Sequence, residues 1–175
     1  MTTPPSPSAT LPIVRIALRI LIVVNWMGGV AILALLVAMP NEQWIMSAFK
    51  LAPSPDADRL ILGLRAVATL GIGVILLHYV VLKRLLAIVE TVRAGDPFVA
   101  ANAARLQTIA WALFTLQVIS LVIGAIGKAV SSPAHPVNLD AGFSVNGWLG
   151  VLLTFLLARV FAEGTRMRDD LEGTV

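Results

Sequence analysis

The chain has 175 residues, 58% of them apolar and 13% charged, with a formal net charge of +3 and no cysteine. A soluble domain is ordinarily about 45–50% apolar and about 25% charged, so this composition excludes a typical soluble enzyme, a disordered chain and a disulfide scaffold. The basic residues are sparse and sit between apolar runs, which fits the edges of membrane helices rather than a phosphate-binding face, and direct contact with nucleic acid is not expected.

Residues 1–10 are rich in Pro, Ser and Thr and read as a flexible tail. The remainder, 11–175, reads as one membrane domain. Crossing a hydrocarbon core of about 30 Å takes roughly 20 helical residues, and four stretches meet or approach that length: 20–39, 60–82, 106–127 and 143–161. The first is longer than the apolar core of a secretory signal, about 7–15 residues, and reads as a retained anchor. The alternation of a membrane β-barrel is absent. The expected fold is therefore all-α, a polytopic bundle of four transmembrane helices in a lipid bilayer.

Orientation follows from the Lys and Arg flanking the spans. Arg15, Arg19, Lys83, Arg84, Arg93, Arg105, Arg159, Arg166 and Arg168 fall on one side, against Lys50, Arg59 and Lys128 on the other. This bias places both termini and the middle connection in the cytoplasm. The outer connections are then 40–59 and 128–142. In the first, 41–51 carries Trp44, Ile45, Met46 and Phe49 and reads as a short interfacial piece. In the second, apolar Val137, Leu139, Ala141 and Phe143 alternate with Asn138, Asp140 and Gly142, a short strand signal.

The middle connection carries more information. Apolar periodicity runs past Leu82 through Leu85, Leu86, Ile88, Val89 and Val92, so the second helix is expected to project beyond the bilayer as far as Ala94. Gly95-Asp96-Pro97-Phe98 then encodes a stop, a turn and a restart. Gly95 suits a left-handed helix C-terminus, Asp96 an N-cap and Pro97 the first position of the third helix. In the tail, Glu163 is spaced to pair with Arg159 and Arg166, while Phe161 and Met167 are apolar positions able to meet the hairpin. The four-span bundle is thus expected to stand on a small cytoplasmic helical base.

Four polar residues fall within the spans. Asn25 and Gln117 lie near mid-span and read as amides hydrogen-bonding across the bundle, within reach of each other. Arg65 lies about one turn inside the outer end of its helix, where it can snorkel to water or hold an anion. His78 lies in the second span with no second ligand one turn away, which fits a helix-facing or water-facing ring better than a metal ligand or proton relay.

The motif Gly95-Asp96-Pro97-Phe98 with Asn102 and Arg105-Leu106, together with Phe161-Ala162-Glu163-Gly164-Thr165-Arg166-Met167 and the ending Glu172-Gly173-Thr174-Val175, resembles the bacterial membrane family called Domain of Unknown Function 2975. Met167 stands where that family is expected to have leucine, and Gly173 where it has an apolar residue. The resemblance implies a multi-pass protein of the bacterial inner membrane without an established activity. It also implies partnership with a small helix-turn-helix regulator.

No Gly-x-Ser-x-Gly elbow, HExxH pair or phosphate loop is present, and Asp169-Asp170 diverge by about 100° on a helix. No catalytic, metal or cofactor residue is expected. The first expectation for function is a non-enzymatic regulator or sensor whose base, Gly95, Asp96, Pro97, Phe98, Asn102 and Arg105 with Phe161 and Gly164, binds a soluble partner. The second is a small-molecule or lipid carrier in which Asn25, Arg65, His78 and Gln117 line a common cavity.

Overall fold

A computed structural model of the chain describes residues 7–39, 46–47, 55–132, 137 and 139–172. It contains four long helices: α1 (Pro7–Ala38), α2 (Pro55–Arg93), α3 (Ala100–Val130) and α4 (Val145–Glu172). All four are long and apolar enough to cross a membrane. Many large apolar side chains point outward, among them Val23, Met27, Leu62, Leu152 and Leu156, the arrangement expected where hydrocarbon is the solvent and each backbone amide must be satisfied within its own helix.

Extensive packing joins consecutive helices, α1 to α2, α2 to α3 and α3 to α4. On the α1–α2 seam the backbone at Gly29 is so close to Ile75 that an added Cβ would lie 3.0 Å from it. The α2–α3 seam is built on Val81, Ile109 and Ala112 with Leu77 and Leu85 around them. The α3–α4 seam is aromatic: Trp111 meets Phe155 edge-on at 5.3 Å, and Phe114 meets Trp148 at 5.7 Å.

Several boundaries differ from the sequence reading. Helix α1 already begins at Pro7, so residues 7–10 of the expected tail are helical; proline is well tolerated in a first turn, where its missing N–H would have no partner. Helix α2 ends at Arg93, as its periodicity implies, but starts at Pro55. With 39 residues it is about 58 Å long and outreaches the bilayer. The expected strand does not form over residues 139–143. Instead Leu139 packs on Gly127, and Gly142, with φ of 137°, turns the chain while its N–H donates to Ser120 Oγ at 3.1 Å. Of the interfacial piece expected over 41–51, only Met46 and Ser47 are among the described residues, and both are helical.

Candidate functional site

The end of the bundle that carries the α2–α3 turn holds a cluster of side-chain bonds between elements. Helix α2 stops in a Schellman arrangement. Gly95 has φ of +86°, its N–H donates to the Val92 carbonyl at 3.1 Å, and the Asp96 N–H donates to the Thr91 carbonyl at 3.1 Å. The pattern satisfies carbonyls that a terminating helix would leave bare.

The restart differs from expectation. Helix α3 begins at Ala100 behind Val99, which gives no side-chain cap, so neither Asp96 as N-cap nor Pro97 as first helical residue is realised. Asp96 is drawn away by Arg168 of α4, with which it forms an ion pair. Pro97 contributes its carbonyl to a buried knot centred on Asn102.

Asn102 is fully buried, 0% exposed, one turn into α3. Its Nδ2 donates to Thr91 Oγ1 at 2.7 Å and to the Pro97 carbonyl at 2.9 Å, while its Oδ1 accepts from Arg105 Nη1 at 2.7 Å. Thr91 Oγ1 in turn donates to the Ile88 carbonyl at 2.7 Å, and Arg105 reaches the Ala87 carbonyl at 3.3 Å. Both amide hydrogens and the amide oxygen are thus engaged, the condition under which a buried polar group stabilises a structure instead of costing it.

The outer helices are tied to this knot. Arg15 of α1 pairs with Glu90 of α2 at 2.7 Å, and Arg93 shares that carboxylate at 3.3 Å. Phe98, leaving the turn, stacks on Phe161 of α4 with centroids 5.4 Å apart and planes 29° apart. Gly164 lets the Phe98 ring approach, since an added Cβ there would lie 3.3 Å from it. Of the expected tail contacts, Phe161 makes its stack, but Met167 points outward. Glu163 pairs with Arg166, three residues on, at 3.8 Å.

The intramembrane polar residues do not meet. Asn25 Nδ2 donates to the Ile75 carbonyl at 3.1 Å on the α1–α2 seam. Gln117 lies on the α3–α4 seam against Gly147. The expected contact between these two amides is therefore absent, because each faces its own helix pair. Arg65 Nη2 donates to the Met39 carbonyl at 2.9 Å, at the C-terminal end of α1, where a cation also complements the helix dipole. His78 is exposed on α2, with Nδ1 2.9 Å from the Val74 carbonyl of its own helix. Asn25, Arg65, His78 and Gln117 thus make separate contacts and do not converge on one another.

Sequence reading alone misses the roles of Thr91, Arg15, Glu90 and Arg168. A hydroxyl one turn before a helix-ending glycine is a usable signal for Thr91; a partnership such as Asp96 with Arg168, 72 residues apart, leaves no local trace.

The family description "Protein of unknown function (DUF2975)" matches residues 38–175. No curated protein and no solved structure matches the chain. The matched span takes in the α2–α3 turn, the Asn102 knot and the whole of α4, and the chain belongs to the DUF2975 family.

Proposed function

We propose that this chain is a non-enzymatic regulator or sensor of the bacterial inner membrane. Its turn-bearing end faces the cytoplasm and docks a soluble protein, of which a small helix-turn-helix regulator is the leading candidate. The observation that carries this reading is the knot around Asn102. A fully engaged buried amide holds the turn rigid, and ion pairs and an aromatic stack bring α1 and α4 to the same place, which yields a defined surface. Phe98 is 44% exposed at this end, and Arg93, just before the turn, and Arg166, late in α4, are exposed as well. Burying an aromatic ring within a polar rim is a common mode of protein recognition.

The carrier reading has less support, since Asn25, Arg65 and His78 face three separate carbonyls and Gln117 lies on another seam. Excess Lys and Arg at this end favours a cytoplasmic orientation. The test is co-purification after mild solubilisation, with the full chain and with Arg93→Glu, Arg166→Glu and Phe98→Ala. The reading expects one soluble protein to be retained by the wild type and lost from these variants. A partner that stays bound to all three would refute the proposed surface, and reporters showing this end outside the cytoplasm would refute the orientation.

A further inference from the structure

Beside the base, α3 and α4 flank a partly open groove of about 320 Å³. Its walls are small, Ala103 and Ala104 from α3 and Ala158 and Ala162 from α4, and its polar groups are Gln107 and Arg159. Both polar side chains are exposed. Among the described residues Arg159 has no carboxylate partner, because Glu163, one turn on, pairs with Arg166 instead.

The depth of the groove matters. Arg159 precedes by two residues the Phe161 that stacks against the turn, and Gln107 lies one position inside Leu106, where the apolar run of α3 begins. Counted from the apolar runs, both fall near the expected end of the hydrocarbon core on the turn side. One turn deeper on α3, Trp111 is 55% exposed and touches Phe155, which lines the groove. An indole at this level is an interfacial anchor. The order from base to mid-membrane is thus a cation with an amide, a small-walled slot, then exposed aromatic surface. A phospholipid presents the same order: phosphate, glycerol esters, acyl chains.

We infer that the α3–α4 groove binds an anionic phospholipid of the leaflet on the turn side. Arg159 pairs with the phosphodiester, Gln107 donates to the ester region, and an acyl chain runs along Trp111 and Phe155. Guanidinium groups suit phosphate because their planar N–H groups match its oxygens. This inference does not depend on a soluble partner.

The experiment is native mass spectrometry of the full chain, released from neutral detergent with phosphatidylglycerol or phosphatidylcholine added. The wild type is expected to retain phosphatidylglycerol selectively. Arg159→Gln removes the charge and is expected to lower retention about fivefold. Ala104→Leu fills the slot from an exposed position without changing charge and is expected to lower it comparably. Arg19→Gln, which removes an exposed cation at the same end of α1, is expected to leave it unchanged. Equal retention of the two lipids overturns the inference, as does wild-type retention by either groove variant. A loss in Arg19→Gln matching that in Arg159→Gln overturns it in favour of diffuse charge attraction. Full displacement of the lipid by free glycerol phosphate overturns it in favour of a soluble anion.

Discussion

Asn102 reaches back across the turn to place its amide nitrogen 2.7 Å from the hydroxyl oxygen of Thr91. The two residues lie on different helices, and the bond closes the α2–α3 hairpin from inside. Removing the amide takes a partner from the Thr91 hydroxyl, the Pro97 carbonyl and one Arg105 N–H, all on half-buried residues around a buried position. Asn102→Ala is therefore expected to destabilise the fold by about 3 kcal/mol, read as a lower midpoint on titration from mild detergent into SDS. Thr91→Val removes one of the Asn102 bonds together with the hydroxyl's own bond to the Ile88 carbonyl while keeping the side-chain shape, and is expected to cost about 1–2 kcal/mol. The double variant should fall short of the sum of the two, since both remove the same bond.

Gly95 is the other requirement of the hairpin. At φ of +86° a side chain meets the following carbonyl oxygen, although nothing else lies near an added Cβ there. The penalty is therefore conformational and not one of crowding. Gly95→Ala is expected to lose about 1–2 kcal/mol in the same titration, and Gly95→Asn less, because asparagine visits this region more readily. If the two substitutions cost the same, the left-handed backbone is not the reason for glycine.

How far the sequence reaches is visible at the same turn. The four spans are legible because hydrocarbon demands about 20 apolar residues in a row, a constraint written locally. The end of α2 is legible for a similar reason: Gly95 is needed where it stands whatever the rest of the chain does. The start of α3 is misread because Asp96, locally a good cap, has an alternative partner in Arg168 that only the folded chain brings near. Asn25 does bond across the bundle, to the Ile75 carbonyl, but its expected contact with Gln117 is misread because mid-span depth says nothing about azimuth. By residue count the two amides share a depth, yet they face different seams.

Two helical glycines separate helix propensity from packing. At Gly124 in α3, an added Cβ would lie 2.7 Å from the Ala141 carbonyl oxygen and 3.0 Å from the Gly142 Cα. That backbone is fixed by the paired bonds between Gly142 and Ser120 and cannot retreat as a flexible side chain would. Gly73 in α2 has nothing within 4 Å of the same position. Gly124→Ala is expected to destabilise by about 1–3 kcal/mol. Gly73→Ala is expected to be neutral or to stabilise by up to about 1 kcal/mol, the helix-propensity difference. Opposite signs for one chemical change would place the loop at residues 141–142 against α3 as described.

Salt separates the two kinds of arginine at the base. Arg15 meets Glu90 with about a third of its side chain exposed and the carboxylate more so. Water screens such a pair, the long side chains lose freedom in holding it, and its contribution is at most about 1 kcal/mol. Added salt weakens it further, because the Debye length falls to about 3 Å at 1 M. Arg105 differs, since its partners are the Asn102 amide oxygen and the Ala87 carbonyl, neutral groups within the knot. Its loss leaves the buried Asn102 oxygen unpaired, which ions in solution cannot remedy. Arg15→Gln is therefore expected to lower the SDS-free unfolding temperature slightly at 20 mM salt, with the difference vanishing near 1 M. Arg105→Gln is expected to lose about 1.5–3 kcal/mol at both salt concentrations. Equal salt sensitivity in the two variants would mean that Arg105 acts as a surface charge and that the Asn102 knot does not depend on it.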